Sequence, residues 1–332
     1  MIQYLVILLD DASTSYCHYS NSKMERKLIS IEDLKAGIFF AMKENLMIQY
    51  VLPEYELPIE YKEIMNSIDN HIFAPSNCED KNAVEAADVV VFNDWSSLKN
   101  WTFDDSQAYV VRTTKEEFFS NHTTLTTVLE KSSRVNVVFT DVDTFTDDDF
   151  EKYKLSLESL GLTITKEYEK GHSVQFNLLT DRMMLEEMNN CGAGDTNITL
   201  APDGKFYVCP AFYYDGVCDG KEVSLGDVCQ KGYSVGSLKE GLDIKNPQLY
   251  KLTHAPLCRN CDAYQCKRCI WLNRKMTLEV NTPSHEQCVM AHIERNASRK
   301  LLADIRTLGT FLPEQEIKQI DYLDPFDVRK EL

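Results

Sequence analysis

Continuous apolar runs alternate with stretches of helical periodicity through residues 1–185. Each run has the length and content of a strand that is buried on both faces, as in a parallel sheet. The predicted strands cover residues 4–9, 47–52, 88–92, 109–111, 135–139 and 174–178. About six strand–helix steps of this kind predict an α/β fold, either an open doubly wound sheet or a partial (β/α)6 barrel of the TIM type.

The helices between these strands are predicted from caps and apolar spacing. Ser30 is a good N-cap for a helix over residues 31–45, in which Leu34, Ile38 and Met42 share one face. Further helices are predicted over residues 59–68, 115–131 and 147–160, and the last begins with acidic residues, as the helix dipole favours. The polar stretch 76–87 is predicted to be a loop.

After Cys191 the pattern changes. Residues 198–200 and 205–208 flank a tight Asp203-Gly204 turn, which predicts a hairpin. Cys191 and Cys209 stand at its two ends, so pairing of the strands brings both thiols to one region. Residues 235–238 are predicted to lead into a helical stretch that ends near His254, and residues 286–307 are predicted to be a helix.

Composition narrows the possible partners. The chain has 332 residues and a net charge of −17, which argues against nucleic acid or an anionic membrane as a partner. No apolar run approaches the roughly 18 residues of a membrane span, and the apolar start has no basic region or cleavage site of a signal peptide. We therefore expect a cytoplasmic protein, in which eleven cysteines do not form a disulfide framework.

Seven cysteines are concentrated between positions 191 and 288. They are Cys191, Cys209, Cys258, Cys261, Cys266, Cys269 and Cys288. Four of them form C-x2-C-x4-C-x2-C, and thiols this close usually hold metal. Seven thiols predict one complete site and one that lacks a ligand. Iron–sulfur clusters fit this better than Zn²⁺, because zinc ribbons usually separate their CxxC pairs by about 15–20 residues; structural Zn²⁺ is the alternative.

Other polar residues are weaker candidates. Cys218 and Cys229 lie in a Gly- and Asp-rich loop and are interpreted as ordinary thiols, with a ligand role as the alternative. His254 and His285 flank the cysteine run and are interpreted as solvated or hydrogen-bonded. Cys17 lies in the loop after the first strand and is interpreted as a relic thiol, with a residual ligand or redox role as the alternative.

The cysteine pattern resembles the SPASM domain of the radical S-adenosylmethionine (SAM) superfamily. Cys191, Gly204 and Cys209 match its first half in full, and the four-cysteine run has one residue fewer in each of two spacers. The resemblance implies two 4Fe-4S clusters. Carried over by motif position, Cys191, Cys209 and Cys269 hold one cluster, and Cys258, Cys261, Cys266 and Cys288 hold the other. The first is left with an open position, which Cys218, Cys229 or a substrate thiolate could fill.

SPASM domains follow a radical SAM barrel, whose first strand should precede C-x3-C-x2-C. Here Asp10 and Thr14 stand at the first two positions, and only Cys17 remains. Where the family often has Gly-Gly-Glu-Pro, the chain has Leu52-Pro53-Glu54-Tyr55. The resemblance therefore implies a degenerate barrel over residues 1–185, a small α+β SPASM-like domain over 186–295 and a C-terminal helix and tail over 296–332. SAM is not expected as a cofactor.

The architecture also resembles the CXXX repeat peptide maturase family. This implies maturation of a ribosomally synthesised, Cys-rich peptide, in which two auxiliary 4Fe-4S clusters relay electrons or bind a substrate thiolate without SAM cleavage. The resemblance also implies an active radical SAM enzyme as a possible partner. The alternatives are a non-catalytic peptide-binding scaffold with clusters or zinc as structural staples, and a ferredoxin-like electron carrier. No catalytic residue is predicted.

Overall fold

The structure is a computed structural model that describes residues 2–21, 26–215, 233–309 and 316–317. Seven strands of the first half lie in one sheet in chain order, each parallel to the next. They are β1 (Tyr4–Leu8), β2 (Met47–Val51), β3 (Asn70–Pro75), β4 (Val89–Phe92), β5 (Ala108–Thr113), β6 (Arg134–Phe139) and β7 (Gln175–Phe176). The α/β class is confirmed. Because the order never reverses, the sheet follows a β/α barrel path rather than a doubly wound one.

Helices connect these strands. They are α1 (Ile31–Glu44), α2 (Ile59–Met65), α3 (Lys81–Glu85), α4 (Trp95–Lys99), α5 (Lys115–Leu129) and α6 (Asp147–Glu169), and α7 (Asp181–Met184) follows β7. The Ser30 hydroxyl accepts from the Asp33 amide at 3.0 Å, as the predicted N-cap of α1 requires. Leu34 and Ile38 on this helix are buried, whereas Met42, predicted on the same face, is exposed.

Some short elements of the first half differ from the prediction. The stretch 76–87, predicted to be a loop, contains α3, whose N-cap Asp80 accepts from the Ala83 amide at 3.2 Å. A helix of five residues is too short for apolar periodicity to reveal it. Strand β3 was also not predicted, because its sequence mixes His71 and other half-buried residues and ends in Pro75.

The cysteine-rich half continues the same sheet. Strand β8 (Asn197–Leu200) pairs in parallel with β1, and β9 (Lys205–Tyr207) pairs antiparallel with β8, so the predicted hairpin is confirmed. Gly204 in its turn has φ +75°, which favours glycine. Helix α8 (Pro210–Asp215) follows, and β10 (Ser234–Ser237) and β11 (Gly241–Leu242) complete the sheet edge.

The predicted helical stretch that ends near His254 is wrong. This segment holds β11 and two single turns of 3-10 helix, Pro247–Tyr250 and Leu252–His254. Gly241 and Asn246 adopt positive φ, and Pro247 lacks an amide hydrogen, so a continuous α-helix cannot form here.

Two further helices follow, α9 (Ile270–Thr277) and α10 (His285–Arg306). The helix predicted over residues 286–307 is confirmed as α10. Helix α10 packs on the first half of the molecule. Tyr153 donates to Glu294 at 2.7 Å, and Ser298 donates to the Leu179 carbonyl at 2.5 Å. The division at 185/186 and 295/296 stays a prediction, although the sheet crosses the first boundary and α10 crosses the second. In the described parts of the chain, no helix combines the length and apolarity needed to span a bilayer.

Candidate metal centres

The structure gathers the predicted cysteine ligands around two cavities. The smaller, of about 230 Å³, is lined by Cys258, Cys261, Cys266 and Cys288 and is called the four-thiol cavity. The larger, of about 510 Å³, lies inside the strand array and is called the lumen cavity. Cys191, Cys209 and Cys269 line it, together with Cys17 and one side of Cys266. Cys266 lines both cavities, so four thiols line the smaller cavity and five line the larger, and the assignment of four and three ligands stays a prediction.

Local turns build the four-thiol cavity. The Cys261 amide donates to the Cys258 carbonyl at 3.0 Å, so the first CxxC segment turns back on itself. The Ala263 amide then lies 3.5 Å from the Cys261 sulfur, and the Arg268 amide lies 3.4 Å from the Cys266 sulfur. Amide hydrogen bonds to sulfur are a recurrent feature of cluster ligation. Cys288 comes from the first turn of α10.

Arg268 supplies a buried positive charge beside this cavity. It is 1% exposed and donates to Asn190 Oδ1 and Asn281 Oδ1, both at 2.8 Å, and to the Tyr250 carbonyl at 2.5 Å. Burial raises the pKa of the Cys258 thiol to about 11, and the Arg268 charge acts in the opposite direction. A fixed guanidinium therefore partly compensates the negative charge that four thiolates would bring.

His292 also lines the four-thiol cavity, and sequence reasoning missed it. Its Nε2 lies 3.7 Å from the Cys261 sulfur. It follows Cys288 by four residues on α10, a spacing that places both side chains on one helix face and could have revealed it. His254 and His285, the two candidates named from sequence, are not among the described residues that line either cavity. His254 contacts Thr253, and His285 packs against the Phe150 ring.

Cys191, Cys209 and Cys269, called the three-thiol group, come from separate parts of the chain. Cys191 and Cys209 flank the β8–β9 hairpin, and both line the lumen cavity, as the hairpin predicted. Cys269 is the N-cap of α9, where the Leu272 amide lies 3.5 Å from its sulfur. Burial raises the pKa of the Cys269 thiol well above its usual value, and the neighbouring Cys191 and Cys209 thiolates raise it further. The three sulfur atoms thus form one electrostatic group.

The loop after β1 occupies the positions where the radical SAM motif would place cysteines. Asp10 is buried and accepts from Tyr55 at 2.8 Å and from the Ala12 amide at 2.7 Å. The Thr14 amide donates to the Leu52 carbonyl at 2.9 Å. Both residues are held in the loop by internal hydrogen bonds.

Two cations lie near the lumen thiols. Burial raises the pKa of Cys17 to about 12 and Cys191 raises it further, whereas Arg112 and Lys267 oppose that rise. Lys267 lines the lumen cavity although part of its side chain is exposed to solvent. The lumen cavity therefore carries its own compensating charges.

The donor set fits thiolate-bound metal. All nine described cysteines are free of disulfides, and partly buried thiols with amide donors, such as Cys261, Cys266 and Cys269, suit an iron–sulfur cluster or zinc. Within the described residues, no three His, Cys, Asp or Glu side chains are arranged to hold a single metal ion. Cys218 and Cys229 lie outside the described residues.

No protein-family model matches this chain, and no curated protein sequence matches it. Several solved structures of anSMEcpe are similar to this structure. The native protein with bound AdoMet and Cp18Cys peptide aligns with a TM-score of 0.59 at 10% identity, covering 92% of this chain and 100% of that chain. A polyhistidine-tagged form with bound AdoMet aligns at 0.60 and 11%, with the same coverage. The native protein with AdoMet and Kp18Cys peptide aligns at 0.58 and 12%, covering 92% and 99%. The likeness shows a shared fold.

Proposed function

We propose that this protein takes part in maturing a ribosomally synthesised, Cys-rich peptide and holds two 4Fe-4S clusters for that purpose. One observation carries the proposal: all seven cysteines line two cavities, which share Cys266. Cys258, Cys261, Cys266 and Cys288 would hold one cluster, and Cys191, Cys209 and Cys269 would supply three thiolates to the other. This division matches the two auxiliary clusters of a SPASM domain.

The shared fold supports a peptide as partner. The anSMEcpe structures were determined with AdoMet and, in two cases, with a Cys-containing peptide by name. Both structures extend over 92% of this chain, so the likeness includes the strand array and the cysteine-rich half. A partner of this kind also suits the acidic chain, which is unsuited to nucleic acid.

SAM cleavage is not part of the proposal. That chemistry needs a cluster on three cysteines after the first strand, and Asp10 and Thr14 stand in two of those places. The Asp10 carboxylate is committed to Tyr55 and the Ala12 amide. An active radical SAM enzyme is therefore the proposed partner for radical chemistry on the peptide.

The chain's own residues would set the properties of the bound clusters. When present, the clusters supply one-electron transfer or a Lewis-acidic iron for a thiolate. Amides of Ala263, Arg268 and Leu272 donate to ligand sulfurs, and such donors raise the reduction potential. Trp271 and Met290 line the lumen cavity and limit its contact with water. We propose the cytoplasm as the compartment, since reduced thiols are needed for ligation.

Metal analysis tests the proposal. After anaerobic purification and reconstitution, we expect about eight iron and about eight sulfide per chain. Zinc without sulfide would contradict the cluster assignment and would favour a structural scaffold. Cys78→Ser serves as a matched control, because this buried thiol is near the sheet but lines neither cavity.

Incubation with peptide separates an enzyme from a scaffold. The reconstituted protein, a one-electron reductant and a Cys-repeat peptide are combined, with and without SAM, and the peptide mass is followed. A mass change without SAM supports maturation by this chain. Tight binding with no mass change points to a scaffold for a partner enzyme, and release of 5′-deoxyadenosine would contradict the degenerate barrel.

A further inference from the structure

We propose that Cys17 is the fourth thiolate ligand of the three-thiol site, so that this site is closed by the loop after β1. The inference rests on the proposed function, because it assigns a residue to one of the two proposed clusters. Cys17 lines the same cavity as Cys191, Cys209 and Cys269, although more than 170 residues separate it from the nearest of them in sequence. The chain thus brings a fourth thiol to this cavity from the loop after its first strand.

Hydrogen bonds direct the loop into the lumen. Ser13 donates to the Val51 carbonyl at 2.8 Å, which fastens the loop to the end of β2. Arg112, on β5, donates from Nε to the Cys17 carbonyl at 2.9 Å. The His18 ring lies 2.7 Å from the Phe139 carbonyl at the end of β6. Contacts with three different strands therefore fix the backbone on both sides of Cys17 and hold the thiol over the cavity.

Other side chains around the lumen cavity that could bind a metal already form hydrogen bonds within the protein. His18 Nδ1 is bound to a backbone carbonyl, and Glu294 accepts from Tyr153 at 2.7 Å and from Gln265 at 3.1 Å. Asn197, which lies close after Cys191, donates to the Cys191 carbonyl at 2.8 Å. Among the described residues that line this cavity, Cys17 is the thiol left over once the motif cysteines are assigned to the two sites.

Charge supports the same assignment. Arg112 donates to the Cys17 carbonyl at 2.9 Å, and Lys267 lines the same cavity as Cys17, so two cations lie near this site. Four thiolates on one cluster leave a net negative charge that two nearby cations would stabilise. A site closed in this way has no open iron for a substrate thiolate, so it would transfer electrons without binding the peptide.

The test is the response of the reconstituted protein to brief oxidation. A cluster held by three cysteines loses its exposed iron and becomes a paramagnetic three-iron cluster, whereas four cysteines protect it. We expect little of that EPR signal in the wild type and in Cys78→Ser. In Cys17→Ser it should rise about tenfold, towards about one three-iron cluster per chain. The Cys218→Ser/Cys229→Ser variant should behave as wild type.

A second measurement needs no variant. Addition of a small thiol, cysteine methyl ester, to the reduced wild-type protein should leave its cluster EPR spectrum unchanged, because no iron is open. A changed spectrum overturns the inference, even if Cys17→Ser fails to fold. The inference is also overturned if Cys17→Ser resists formation of the three-iron cluster as well as wild type does, or if Cys218→Ser/Cys229→Ser forms it. In these cases the wild type still holds clusters, and the proposed function stands. If the wild-type protein contains no iron and no sulfide, both the inference on Cys17 and the proposed function are wrong.

Discussion

The two thiol groups differ in how the chain assembles them. Three thiols of the four-thiol cavity lie within residues 258–266, and the fourth comes from the first turn of α10. The three thiols at the lumen come from the start of a hairpin, its end and the N-cap of α9, and Cys17 joins them from the opposite end of the chain. One site is local; the other depends on the sheet that joins both halves of the molecule.

This difference predicts different vulnerabilities. A local site needs only its own turns and one helix, so it should survive damage elsewhere in the sheet. A site assembled from distant segments closes only when β1, β8 and β9 are paired correctly. Loop closure over long separations also costs more chain entropy. Variants can therefore separate the two sites.

The largest expected effect is loss of one whole cluster. Cys258→Ser/Cys261→Ser should lower iron and sulfide by about half, from about eight to about four per chain. Cys191→Ser/Cys209→Ser should have the same effect on the total, but the remaining cluster should have a different EPR spectrum. Iron and sulfide assays with EPR on both proteins check this. Loss of all iron in either variant would mean that the two sites are not independent.

Arg268→Met should cause the next largest effect. It leaves three acceptors without their donor inside the protein, so the free energy of unfolding should fall by about 4 kcal/mol. Urea unfolding followed by circular dichroism measures the change. The control is Arg259→Met in the same cysteine run, where the side chain is exposed and little change is expected. Equal stability of the two variants would contradict a structural role for Arg268.

Glu294 lines the lumen cavity and accepts a hydrogen bond from Gln265, which precedes Cys266. Burial raises the pKa of this carboxyl from 4.5 to about 7. The folded protein therefore holds a proton that the unfolded chain releases, and this stabilisation is complete below pH 4.5 and disappears as the pH rises through about 7.

Comparison with Glu294→Gln isolates that effect. Between acid and about pH 8, wild type should lose on the order of 3 kcal/mol of unfolding free energy relative to the variant. Urea unfolding at a series of pH values gives the difference, and the exposed Glu279→Gln is the control. A constant difference across the series would show that Glu294 does not change its protonation state on folding.

The smallest effect concerns the hairpin that positions Cys191 and Cys209. Gly204→Ala should lower the free energy of unfolding by about 1 kcal/mol, because φ is +75° there and alanine is strained at that angle. The control is Gly161→Ala within α6, where a Cβ meets no atom within 4 Å and alanine should stabilise the helix. Thermal unfolding compares the two. Opposite signs are expected, and iron at the lumen site should fall only in Gly204→Ala.

Several parts of the fold could be predicted because their signals are local. Buried parallel strands such as β1 are continuous apolar runs, and Ser30 marks the start of α1 by its side-chain chemistry. The helix α3 was missed because five residues carry too little periodicity, and the strand β3 was missed because its sequence is not a continuous apolar run and ends in Pro75. The helix predicted before His254 was wrong because backbone conformations at Gly241 and Asn246 override local propensity.

The sequence by itself determined the cysteine count, the CxxC turns and the approach of Cys191 and Cys209 at the two ends of a hairpin, since each depends on residues close in the chain. Only the tertiary structure decided that Cys17 shares a cavity with Cys269, that Arg268 is buried beside the four-thiol group and that His292 approaches Cys261. These contacts join segments far apart in sequence. They arise because β8 extends the sheet beside β1 and α10 packs on α6, and no spacing along the chain records that packing.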